Sequence, residues 1–104
     1  KMPDYRFERD CRTPYSEAYI ITLDENLVGR VDLHFARHAV SGTLCVGENM
    51  TAEDIQELID TIDEEIVLPS EVARDDFIVT VYQGRETGVF SDEELGEEGV
   101  FDED

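Results

Sequence analysis

The hydrophobic pattern changes period twice along the chain, and each change marks a new kind of element. Ala18-Tyr19-Ile20-Ile21-Thr22-Leu23 is a β-branched and aromatic run that stops at Asp24-Glu25-Asn26, a cluster of turn formers. From Leu27 to Ala36 the positions alternate. Val31, Leu33 and Phe35 fall on one face, and Arg30, Asp32 and His34 on the other. A period of two predicts a half-buried antiparallel strand with one wet side. Arg37-His38 predicts a second turn. A third strand comes next, with Val40, Leu44 and Val46 on one face and Ser41, Thr43 and Cys45 on the other. These connections are too short for parallel crossovers, so the three strands predict a meander.

From Thr51 the period becomes that of a helix. Thr51 suits an N-cap, and Asp54 stands where the acid of a capping box reaches back. Ile55, Leu58, Ile59, Ile62 and Ile66 recur as one apolar stripe. Burying each such side chain is worth about 1.5–3 kcal/mol before ordering costs. The helix is therefore expected to lie on the sheet. Pro69 marks its end, and residues 68–75 read as a connecting loop. Phe77-Ile78-Val79-Thr80-Val81-Tyr82 is the strongest strand pattern, apolar at both parities, and reads as a central strand covered on both faces. Gln83-Gly84-Arg85-Glu86 predicts a tight hairpin turn, with Gly84 where a type II′ turn needs it, and Thr87–Phe90 a short return strand.

The fold class expected from this order is α+β. It has a mainly antiparallel sheet, a meander plus a C-terminal hairpin in the order β-β-β-α-β-β, with one amphipathic helix packed on one face. Residues 1–16 are polar and Arg-rich and read as a loose arm with a short edge strand over Arg6–Asp10. Residues 17–90 read as a single α+β domain. Residues 91–104 hold eight acids and no base, and read as a disordered acidic tail. At 104 residues and 40% hydrophobic, the chain can fill one core and not two.

Charge changes the functional picture more than any motif. Asp and Glu number 27 against 8 Lys and Arg, a net charge of −19. Such a field repels phosphate backbones and anionic bilayers, so direct binding of nucleic acid or membrane is not expected. Acid excess with Lys nearly absent suits a saline cytoplasm, where screening removes self-repulsion. Two cysteines, Cys11 and Cys45, make no disulfide framework, and no apolar run is long enough to span a bilayer. With Met2 read as the natural start, there is no room for a targeting segment, and a cytoplasmic location is expected.

Candidate chemistry is sparse. Asp24 to Gly29 begins like a calcium loop but has Val28 at its fifth position and Phe35 at its twelfth, so a hairpin turn is the better reading. His34, His38 and Cys45 could serve a small enzyme or metal-binding protein, with Asp32 behind His34, yet no paired-ligand motif fixes them. No cofactor is expected. On the helix, Glu53, Glu57, Asp60 and Glu64 lie opposite the apolar stripe, with no base between them. This face is either solvated charge or a docking surface for a basic protein. The leading reading is a non-enzymatic cytosolic interaction or regulatory domain with an acidic surface, able to form a homodimer through a sheet edge or face. The alternatives are the His34, His38 and Cys45 enzyme or metal protein, and a nucleic-acid mimic that fills a basic protein cleft. Self-repulsion has a direct consequence: sodium chloride should raise the melting temperature. The rise should be steepest at low ionic strength and flatten as the Debye length shrinks to about 3 Å near 1 M. A melting temperature indifferent to salt would mean that the carboxylates are neutralised within the fold.

Overall fold

Helix α1, Ala52–Ile62, starts where its cap places it. The Thr51 hydroxyl accepts from the Asp54 backbone N–H at 3.0 Å, and the Asp54 carboxylate accepts from the Thr51 N–H at 3.0 Å. Both members of the capping box are thus present. The computed structural model describes residues 4–70 and 76–92. In it, β1 (Tyr5–Thr13), β2 (Ser16–Leu23), β3 (Asn26–Phe35), β4 (Ala39–Gly47) and β5 (Asp76–Gly84) form one sheet in that spatial order. β1 to β4 are an antiparallel meander, and β5 runs parallel to β4. A mostly antiparallel sheet with one helix is an α+β fold. No helix among the described residues is long and apolar enough to cross a membrane.

The core lies between α1 and one face of the sheet. Ile21, Val31, Leu33, Val40 and Leu44 meet Leu58, Ile62 and Val67 there, with Tyr5 and Val46 at its border. The stripe ends differently from its expected course. After Ile62 the chain makes one wide π turn, Asp63–Val67, and then a tight turn, Leu68–Ser70. The extra residue in a π turn rotates the residues after it around the helix axis, so Val67 is buried beneath the helix and Ile66 only half so.

Three expectations are corrected at the two ends of the sheet. The loose arm contains a nine-residue edge strand, so the order is β1-β2-β3-β4-α1-β5 instead of β-β-β-α-β-β. β5 is not central and covered twice: among the described residues it is an edge strand whose outward side chains are exposed. The C-terminal hairpin is absent, since residues 85–90 have no regular structure. Its turn residues are used elsewhere. Gln83 and Gly84 pair with Val46 and Gly47 of β4, and the Gln83 side-chain amide donates to the carbonyls of Gly47 at 3.1 Å and Met50 at 2.7 Å. These bonds hold the end of β5 against the β4–α1 connection, where a turn would have to leave it. The tail beyond Asp92 and residues 71–75 of the connecting loop lie outside the described residues.

The β2–β3 hairpin closes on a two-residue turn in which Asp24 and Glu25 both have positive φ, 54° and 69°. This is the backbone of a type I′ turn, which suits the twist of the strands but favours glycine at its second position. Shortly after the turn the register shifts, leaving Val28 as the extra residue of a bulge. Gly29 then passes so close to β4 that a Cβ there would collide with the Cys45 carbonyl oxygen. Left-handed backbone costs a non-glycine residue about 1–2 kcal/mol. Glu25→Gly should therefore stabilise the fold by roughly 1 kcal/mol, read as a higher urea midpoint with unchanged slope. A loss of stability would show that the Glu25 side chain contributes more than its backbone strain.

Candidate interaction surface

The two edges of the sheet are built in opposite ways. β1 carries Arg6, Glu8, Arg9, Asp10 and Arg12 among its nine residues, and its register slips between Arg9 and Cys11. Charges and a bulge are the devices that keep an edge strand from pairing with another chain. Several of these charges are anchored on β2 and β3. Arg9 and Arg12 converge on Glu17 at 3.9 and 3.6 Å, and the Tyr19 hydroxyl donates to the same carboxylate at 2.6 Å. On the outer face Arg30 reaches Asp10 at 3.3 Å and Asp32 at 3.4 Å. Burial pushes its guanidinium pKa down, but the two carboxylates outweigh this and leave it above its ordinary value.

β5 has none of these devices beyond Asp76 at its first position. The eight residues Phe77 to Gly84 carry no charge and no proline, in a chain that is 34% charged. Of the other strands β4 has an uncharged run as long, and β4 has a neighbour on each side. Among the described residues β5 has one neighbour. A strand with the composition of an interior strand thus occupies an edge.

The uncharged region continues around the edge onto the outer face. There the pairs Ser41–Ile78, Thr43–Thr80 and Cys45–Tyr82 lie side by side, with Ile78 52% and Tyr82 60% exposed. At the Gly84 end this face opens into a concavity of about 820 Å³, lined in part by Ile20, Leu27, Arg30, Cys45, Tyr82 and Arg85. Cys45 is opposite Arg30, while His34 is opposite Ser41, four residues further along β4. That is about 13 Å at the rise of a strand. Asp32, between them in register, is bonded to Arg30. Cys11 is three strand spacings from β4, roughly 14 Å, which no disulfide spans. Both cysteines are free and exposed. His38 sits in the bend between β3 and β4. Among the described residues no group of three His, Cys, Asp or Glu could hold a metal, so His34, His38 and Cys45 are not assembled into a centre.

The helix carboxylates form a field and not a pocket. Glu53, Asp60 and Glu64 are exposed, and Glu57 is half-buried. Gln56 donates to the Asp60 carboxylate at 3.1 Å. Burial raises the Tyr5 pKa, and the nearby charges of Asp54 and then Glu57 raise it further.

No protein-family model, curated protein or solved structure matches this chain. Function has to be read from the surface the fold leaves open. The sequence contained the signal for that surface, the uncharged run from Phe77 to Gly84, but the expected return strand supplied it with a neighbour that it lacks among the described residues. The Tyr19–Glu17 bond that anchors the guarded edge yields a pH dependence. Burial and the bond to Glu17 raise the Tyr19 pKa above 10.0, against the lowering by Arg9. A tyrosine pKa raised in the folded state adds stability below the unfolded value, lost as pH rises through the folded one. The melting temperature should fall as pH climbs past about 10. Tyr19→Phe should shrink that fall, while costing about 1–2 kcal/mol at neutral pH because the half-buried Glu17 loses its O–H donor. An unchanged alkaline limb in Tyr19→Phe would assign the fall to other groups.

Proposed function

We propose that this chain is a non-enzymatic protein-interaction domain that takes up an extended polypeptide segment as a sixth strand beside β5. The observation that carries the reading is the run Phe77–Gly84, uncharged and proline-free in a strand with one neighbour among the described residues, set against the charged and bulged edge at β1. In strand addition the free main-chain N–H and C=O groups supply affinity, and alternate side chains supply selectivity. Ile78, Thr80 and Tyr82 are the side chains presented on the outer face next to an added strand. Each backbone hydrogen bond contributes about 0.5–1.5 kcal/mol net. A segment along β5 would make several, offset by the ordering of the segment itself. The acidic surface of the helix and β2–β3 turn keeps the domain dispersed while this edge stays open.

Selection from a random peptide display library on the immobilised domain tests the reading. Peptides with alternating β-branched and aromatic residues should be enriched. Thr80→Lys, which places a charge in the middle of the edge, should abolish the enrichment. Equal enrichment on Thr80→Lys, or none on the parent, would overturn the proposal. So would enrichment lost instead on a Glu53→Gln/Asp60→Asn variant, which would move recognition to the helix.

A further inference from the structure

We infer that the sixth strand is β5 of a second copy of this chain, antiparallel across a two-fold axis at Thr80. The inference rests on the open edge proposed above and names its occupant. β5 runs from Asp76 to Gly84, so Thr80 is its midpoint. A two-fold axis there pairs all nine residues of the strand with themselves, from Asp76 against the partner's Gly84 through to the reverse. Thr80 then meets the partner's Thr80, and Ile78 meets the partner's Tyr82. Hydroxyl–hydroxyl and aromatic–β-branched pairs are among those that stabilise neighbouring strands. On the inner face Val81, still 36% exposed beside the core, receives the partner's Val79.

Charge selects the same register. With the axis at Thr80, Asp76 lies one residue from the partner's Arg85, so each end of the ladder joins opposite signs. An axis at Val81 would set Asp76 against the partner's Glu86, a like-charge pair. An axis at Val79 would pair only seven of the nine strand residues. The closed, isologous arrangement makes each edge the other's cover and leaves the charged β1 strands as the outer edges of a ten-stranded sheet. What opposes pairing is the long-range repulsion between two chains of net charge −19, which salt screens. The sign of the salt effect therefore separates this partner from a basic segment, whose attraction salt would weaken.

Sedimentation equilibrium of the full chain, over about 1 μM to 1 mM at low and at about 1 M sodium chloride, reads this directly. A monomer–dimer equilibrium should appear and tighten about tenfold or more at high salt. Thr80→Lys sets two lysines opposite each other and should remain monomeric throughout, with a far-ultraviolet spectrum like the parent's. Cross-linking checks the register without relying on that variant. In a Cys11→Ser/Cys45→Ser background, Thr80→Cys should form a disulfide with itself under mild oxidation. Ile78→Cys should do so only when mixed with Tyr82→Cys. A parent chain monomeric under all these conditions overturns the inference. A dimer unaffected by Thr80→Lys, or equal self-linking by Ile78→Cys, does the same. If peptides are nonetheless captured in the display experiment, the sixth strand comes from another protein and only the identity of the partner falls.

Discussion

The docking of α1 on one face of the sheet is the interaction on which the rest of the structure depends. Leu58, Ile62 and Val67 are fully covered there against Ile21, Val31, Leu33, Val40 and Leu44. There is one such helix among the described residues, so it can cover one face only. The other face has to tolerate water, and it does so on β3 with Arg30, Asp32 and His34. The helix also fixes chain direction. It comes after β4 and carries the chain back along the sheet, so the next strand enters parallel to β4. The parallel pairing of β5, and its place at the edge, are consequences of that return.

The second constraint is the distribution of charge. With 27 acids in 104 residues, an uncharged run of eight strand residues is a local exception, and β4 and β5 each contain one. β4 is explained by its position between β3 and β5. β5 has the same composition without the same burial, and the difference cannot be assigned to the inner face, where Phe77 and Val79 are half-covered by the core. Its outward residues Ile78, Thr80 and Tyr82 are exposed among the described residues. On the proposed reading their composition answers to a strand that the isolated chain lacks.

Much of the local structure was legible because it is set by short-range chemistry. The capping box needs only Thr51 and Asp54 three residues apart, and the alternation of Val31, Leu33 and Phe35 needs only the pleat. The helix stripe was legible as far as Ile66, which packs against the core as Ile55 and Ile59 do, but the full burial of Val67 was not, since a π turn inserts a residue without any sequence period to announce it. What could not be read was long-range. Gln83-Gly84 is a good hairpin turn in isolation, but Gln83 is bonded to Gly47 and Met50, residues more than thirty positions away. Charged residues near Arg9 suggested a loose arm, whereas Glu17 and Tyr19 supply the partners that let β1 extend to nine residues. The candidate site suffered from the same limit. His34 and Cys45 are both chemically useful and lie on adjacent strands, yet they are far apart in register, because register is decided by turn lengths and bulges.

An uncharged open edge in a crowded solution invites pairing with any other edge, and the net charge of −19 bears on that hazard. The repulsion acts over a Debye length, about 10 Å at 0.1 M salt, whereas strand pairing begins only near 4.8 Å. At moderate salt another acidic chain is therefore slowed before its backbone can bond. Only a partner that makes several hydrogen bonds in register gains enough at contact to offset the approach. Near 1 M the Debye length of about 3 Å is shorter than the strand spacing, and the field no longer discriminates. Selectivity then falls to the strand itself, to Ile78, Thr80 and Tyr82 on one face and to Asp76 and Arg85 at its ends. Those five positions leave little to a generic edge: a sliding partner loses the Thr80 match and moves Asp76 towards Glu86 or off the ladder. On the proposed reading the edge is guarded by field at low salt and by register at high salt, and so can lack the charges that protect β1.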